Sequence, residues 1–213
     1  MSATQVRTLP FATGIRVARV LVIAVASFLC VFVALFSYRY LLGTSDVPPF
    51  IAINLFRNPW LIIHVAGAAT ALLVGPLQFS SALRSRVPMV HRLLGRVYVV
   101  SCLLGGAAAF VLAFGTSTGW ISTAGFASLA VGWIITTSLA WRRAMQGQFI
   151  DHRAWMIRSF ALTFAAVTLR LYLPLLPLFS IPFIQGYRAI SFLCWVPNLL
   201  AVELYLHHRR SVF

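Results

Sequence analysis

Residues 60–82 read WLIIHVAGAATALLVGPLQFSSA, and residues 83–96 follow at once as LRSRVPMVHRLLGR. The first stretch is apolar over the roughly 20 residues that a helix needs to cross a hydrocarbon core. The second places Arg84, Arg86, Arg92 and Arg96 immediately beyond it. Basic loops are retained on the cytoplasmic side of a membrane, so this pair of segments reads as a span that delivers the chain to the cytoplasm.

Similar stretches lie on either side. Residues 20–40, 93–114, 121–140, 155–179 and 189–206 are each long and apolar enough to span, giving an all-α polytopic bundle of about six transmembrane helices. Residues 20–40 are too long and too rich in Phe for a cleaved signal, so they read as a retained helix. Arg7, Arg16 and Arg19 precede the first span, Arg142, Arg143, Arg153 and Arg158 surround the fourth connection, and Arg209 and Arg210 follow the sixth. With the four arginines after residue 82, thirteen of the seventeen fall on one side. Only Arg39, Arg57 and Arg188 fall on the other, and Arg170 lies within a span. This alternation predicts a multi-pass protein of the inner (cytoplasmic) membrane with both termini in the cytoplasm. Tyr38, Tyr40, Trp60, Trp120, Trp141, Trp155 and Tyr187 fall at span ends, where aromatic rings sit at headgroup level. The apolar connection after the first span, with Pro48-Pro49-Phe50-Ile51, suits either a short interfacial helix or an ordinary loop.

Composition agrees. Apolar residues make up 61% of the chain and charged ones 9%, against about 45–50% and 25% in soluble domains. All 17 basic residues are arginine, and the acids are Asp46, Asp151 and Glu203. A net charge of +14 beside apolar spans points to a bilayer with anionic headgroups rather than to nucleic acid. Three acids exclude a two-carboxylate enzyme, and there is no phosphate-binding glycine loop, GxSxG elbow or HExxH pair. Cys30, Cys102 and Cys194 fall in three different spans with no ligand spacing, which disfavours disulfides and zinc.

Ionisable groups inside spans are costly and so become functional candidates. His64 and Arg170 lie at similar depths in the outer half, where Arg170 either holds an anion or snorkels to the headgroups. His91 and His152 share a depth at the inner ends of spans three and five. Facing histidines at one depth suit axial haem ligation, whereas histidines at an interface also cap helices or pair with phosphate. Glu203 faces Arg92, Arg96, Arg153 and Arg158, which predicts an ion pair fixing span six. Gln78 accompanies a small-residue face built from Gly67 and its alanine neighbours, which serves close packing or a flat ring. The His91-Arg92 pair recurs as His152-Arg153, a spacing that two parallel helical hairpins would produce.

His64-x-x-Gly67, Gly75-Pro76-x-Gln78-Phe79, Arg84-x-Arg86-x-Pro88 and His91-Arg92-x-x-Gly95-Arg96-x-Tyr98 are joined later by His152-Arg153-x-Trp155-Met156-x-Arg158-Ser159 and Arg170. Over these blocks the chain resembles an uncharacterised family of predicted bacterial multi-span membrane proteins, a domain of unknown function. That resemblance implies a membrane location and no activity. More loosely, four spans with histidines near their ends resemble membrane cytochromes of the b561 type, which implies haem b. The pattern departs at Gly125 and Phe126, where span four offers His64 no histidine.

The reading is one transmembrane domain over residues 1–213, with its chemistry in spans two to five, residues 60–179. Cofactor candidates are His64, His91 and His152, for haem or a quinone. Substrate or anion candidates are Arg170, Gln78, Arg92 and Arg158. Three functions remain open: redox work with haem or quinone, transport or anionic-lipid binding, and a structural or assembly subunit of a membrane complex or homo-oligomer.

Overall fold

The computed structural model describes residues 10–41 and 48–210; Arg7 and Asp46 lie outside the described residues. Helix α1 runs from Pro10–Tyr38 into a 3-10 turn at Arg39–Leu41. The short helix α2, Pro49–Ala52, begins on a proline, whose missing N–H is no loss at that position. It occupies the connection that suited an interfacial helix. Next come α3 (Arg57–Gln78), α4 (Ser81–Arg86), α5 (Pro88–Phe114) and α6 (Trp120–Met145). The chain ends in α7 (Phe149–Thr163), α8 (Ala165–Tyr172), α9 (Leu175–Leu178), α10 (Phe183–Leu193) and α11 (Val196–Arg210).

Six of the resulting segments are long and apolar enough to cross a membrane: Val20–Leu41, Arg57–Gln78, Pro88–Phe114, Trp120–Met145, Phe149–Leu178 and Phe183–Arg209. The protein is therefore an all-α polytopic bundle, as its composition requires. Boundaries differ from the sequence reading where local chemistry intervenes. Span two stops at Gln78 because Ser80 caps a new helix, its Oγ accepting the Leu83 N–H at 3.2 Å. Asn58 is extended (φ −105°, ψ 134°), as a residue before proline prefers, so the continuous helix starts at Pro59. Spans three and five begin several residues earlier than expected, because the His-Arg pairs continue the helix beyond its apolar part.

Spans five and six are broken helices. At Phe164 the ladder tightens, the Val167 N–H reaching back to the Phe164 carbonyl at 2.9 Å. Pro174 stands between α8 and α9, Pro177 lies within α9, and Pro197 stands just inside α11, each removing a backbone donor.

Consecutive helices α3, α5, α6 and α7 pack side by side, with α1 against α3, α10 against α6 and α11 against α7. The closest approach joins α3 to α5. A Cβ on Gly67 would stand 2.5 Å from the Ser101 carbonyl oxygen and 2.8 Å from the Gly105 nitrogen. Both obstacles are backbone, so glycine is required there. Tyr98, Cys102, Trp133 and Leu162 fill the centre, while Cys30, Val33 and Ala34 seat α1 on Ala69 and Leu72. The three cysteines are free and buried. Large apolar side chains such as Phe28, Leu35, Leu104, Ile135 and Leu200 face outward, toward lipid that is as apolar as they are.

Candidate functional site

A cavity of about 440 Å³ opens inside the half of the bundle away from the arginine-rich end. Its walls are mostly apolar: Phe36 from α1, Leu72 from α3, Leu112 from α5, Phe126 and Trp133 from α6, Leu162 and Leu169 from α7 and α8. Phe50 of α2 closes one side, its ring 5.2 Å from Phe183 and 5.4 Å from Tyr187 of α10. Asn54 anchors that cover, donating from Nδ2 to the Leu112 carbonyl at 2.9 Å. Span one and span six thus contribute walls, although the sequence concentrated chemistry in spans two to five.

Two sequence candidates meet here. Arg170 and His64 both line the cavity and are close enough to feel each other's charge. Arg170 turns to acceptors within the bundle. Its guanidinium donates at 3.0 Å to the Ala166 carbonyl one turn back and at 2.8 Å to Ser37 Oγ on α1. Both acceptors are neutral, and no carboxylate is among the described residues that line the cavity. An arginine has five N–H donors in a rigid fork. Two are spent on positioning the group, and the rest of the fork stands on the cavity wall.

His64 is held by the close approach described above. Its Nδ1 lies 3.0 Å from the Gly105 carbonyl, which can only accept, so Nδ1 carries a proton and Nε2 is the free ring nitrogen. The glycines that let α3 touch α5 therefore also orient the imidazole. Arg39 adds a second cation to the lining, stacked 3.7 Å above the Phe36 ring centroid and donating to the Tyr40 hydroxyl at 3.1 Å.

The other candidates lie elsewhere. Arg158 binds Glu203 in a two-pronged pair, Nε to Oε1 at 2.6 Å and the second nitrogen to Oε2 at 2.8 Å, and stacks on Trp155 at 4.7 Å. This is the ion pair expected to dock span six. Arg92 is exposed at the arginine-rich end. His91 lies in the first turn of α5, within electrostatic range of Arg84, His152 and Arg92. His152 is fixed by Nδ1 donating to the Ala140 carbonyl at 2.8 Å. Gln78 is buried, its amide oxygen beside Gly95, and does not line the cavity. Arg143, in the same basic loop region, is held by Gln148 and lies 3.9 Å from Asp151.

The cavity offers one imidazole, that of His64, and Gly125 of α6 packs against α10, where a Cβ would strike the Ser191 side chain. Among the described residues no three His, Cys, Asp or Glu side chains gather to hold a metal ion.

Sequence reading missed Ser37, Asn54 and the aromatic cover, since short polar residues at span ends carry no signal of their own. It also passed over the central hydroxyls. Tyr98 and Ser159 bond at 3.1 Å although 61 residues apart. That is the same offset as His91 and His152.

A six-span bundle with a guanidinium on the wall of an internal apolar cavity defines a polytopic membrane protein. The chain belongs to the family described as predicted membrane protein (DUF2306), whose pattern matches residues 61–206. No curated protein and no solved structure matches it.

Proposed function

We propose that this protein binds an anionic amphiphile, a molecule with a phosphate or carboxylate head and an apolar body, inside the half of the membrane away from its arginine-rich end. The observation that carries this reading is Arg170. A cation inside a span is costly unless an opposite charge answers it, and its partners, Ser37 Oγ and the Ala166 carbonyl, are neutral. An anionic head supplies the missing charge, and a fork of donors suits planar or tetrahedral oxyanions. The cavity volume falls in the range of small-molecule chambers, and its aromatic and aliphatic walls suit an alkyl or ring body. The arginine asymmetry supports placing the opposite end in the cytoplasm, so the chamber would face the outer leaflet.

Trp133 lines the chamber and serves as a reporter. A brominated alkyl phosphate should quench its fluorescence saturably. Arg170→Gln should weaken that binding by about ten-fold or more, the worth of a charge-assisted hydrogen bond. Quenching that never saturates, or that is indifferent to Arg170→Gln, would sink the proposal.

A second reading is favoured by His64. Its free Nε2 beside Arg170 and aromatic walls is a combination that suits a quinone head, whose carbonyl accepts from the guanidinium. A short-chain quinone that displaces the alkyl phosphate, and that loses this ability in His64→Leu, would move the assignment to quinone binding.

A further inference from the structure

Most polar side chains on the cavity wall spend their hydrogen bonds on the protein itself. Ser37 Oγ takes an Arg170 N–H and gives its own hydrogen to the Val33 carbonyl at 2.6 Å. Thr163 Oγ1 takes the Trp133 Nε1–H at 2.8 Å and donates to the Ser159 carbonyl at 3.0 Å. Asn54 gives its amide to the Leu112 carbonyl, and its Oδ1 accepts the Phe56 N–H at 2.9 Å. His64 differs.

Its Nδ1–H is given to the Gly105 carbonyl at 3.0 Å, and the close approach of Gly67 to α5 holds that carbonyl in reach. An imidazole bound in this way keeps a bare lone pair on Nε2, an acceptor with no hydrogen of its own. No donor among the described residues answers it. Arg170, on the same wall and within electrostatic range, has the opposite need: it holds donors and a positive charge, and its acceptors are neutral. A head group that satisfies both residues must carry an anionic oxygen and an O–H together. A plain carboxylate, a sulfate ester and a phosphodiester have the charge without the hydrogen. A phosphate monoester or a phosphonate in its hydrogen form has both on one phosphorus. A head lacking the O–H would enter beside Nε2 and leave that buried acceptor unanswered, which costs affinity.

We infer that His64 is a specificity-determining residue of this cavity, its Nε2 selecting phosphate monoester or phosphonate heads that keep an O–H over the phosphodiesters of bulk bilayer lipid. The inference rests on the anionic-amphiphile reading and narrows it. Arg170 takes the charged oxygen through the unspent part of its fork. His64 accepts the hydroxyl hydrogen, which stays shared between the head and the ring, so no covalent bond of the ligand is broken. Selection of this kind matters inside a membrane. Phosphodiester heads surround the protein on every side, and a site that read charge alone would fill with them.

The test uses the full-length purified chain in phosphatidylcholine vesicles at neutral pH, with Trp133 fluorescence as the readout. Two quenchers are compared, bromododecylphosphonic acid and its monomethyl ester. Each carries close to a single negative charge there, and the acid alone keeps an O–H. Their concentrations in the bilayer are fixed by partitioning into protein-free vesicles. Wild type should bind the acid about ten-fold or more tightly than the ester, the loss expected when a buried acceptor goes unanswered. His64→Asn places an amide N–H where Nδ1 stood, so it retains a donor for the Gly105 carbonyl while removing the acceptor at Nε2. It should bring the two affinities together. His64→Leu should do the same and covers the case in which the Asn variant fails to fold. Arg170→Gln should weaken both quenchers. Equal binding of acid and ester by wild type, with both still weakened by Arg170→Gln, overturns the selection and leaves the anionic-amphiphile reading standing. So does a preference that survives unchanged in a folded His64→Asn or His64→Leu protein. Absence of saturable quenching by either compound overturns that reading, and the selection with it.

Discussion

Arg158 and Arg170 sit on the same broken span, and the bundle treats them in opposite ways. Arg158, near the arginine-rich end, has both prongs of its guanidinium filled by Glu203 and its face covered by Trp155. Arg170, near the other end, is steadied by a serine hydroxyl and a carbonyl of its own helix, beside a cavity. One charge is neutralised within the fold and the other is not. The contrast teaches that an intramembrane cation is read from its partners: a paired arginine fixes helices, and an arginine with neutral partners on a cavity wall is the one in which the proposed binding role can be tested.

The two halves also differ in what packs them, and the strongest way to break the contrast acts on both. Gly67→Val should be the most damaging change, because its side chain meets the α5 backbone, which cannot rotate aside. Overpacking of this kind costs about 1–3 kcal/mol or more, and it also displaces the His64–Gly105 contact. A lowered melting temperature in detergent together with lost amphiphile binding would show this. Arg158→Ala should come next, lowering stability by about 2 kcal/mol through loss of two charged hydrogen bonds, while Trp133 quenching by the alkyl phosphate survives. Loss of that quenching in a still-folded Arg158→Ala protein would erase the distinction between the two arginines.

Arg170→Gln sharpens the comparison from the other side. It should abolish most amphiphile binding while leaving unfolding within about 1 kcal/mol of wild type or raising it, since a cation without an acidic partner is removed. Phe50→Ala should have the smallest effect. It removes two ring contacts from the cover over the cavity, and it should speed ligand release with little change in overall melting.

Much of the architecture was legible before any coordinates. Apolar length and arginine alternation specify six crossings, because a bilayer imposes a fixed thickness and Arg-rich loops stay on one side. The helical break at Phe164 was not legible, since the apolar composition runs through it unbroken and the turn arises from local hydrogen bonding, whereas the break near Trp195 lies beside Pro197. The Arg158–Glu203 pair was foreseeable from depth alone, as a lone acid among cations has few alternatives.

Sequence by itself determined that this is a membrane bundle, which residues carry costly polarity inside it, and roughly how deep each lies. It could do so because hydrophobic thickness and helical rise convert position along the chain into depth. Rotation about each helix axis was left to the tertiary structure. Side-chain packing, above all the glycine contact between α3 and α5, turned Arg170 and His64 toward one cavity, Arg158 toward Glu203, and Gln78 toward Gly95 of α5.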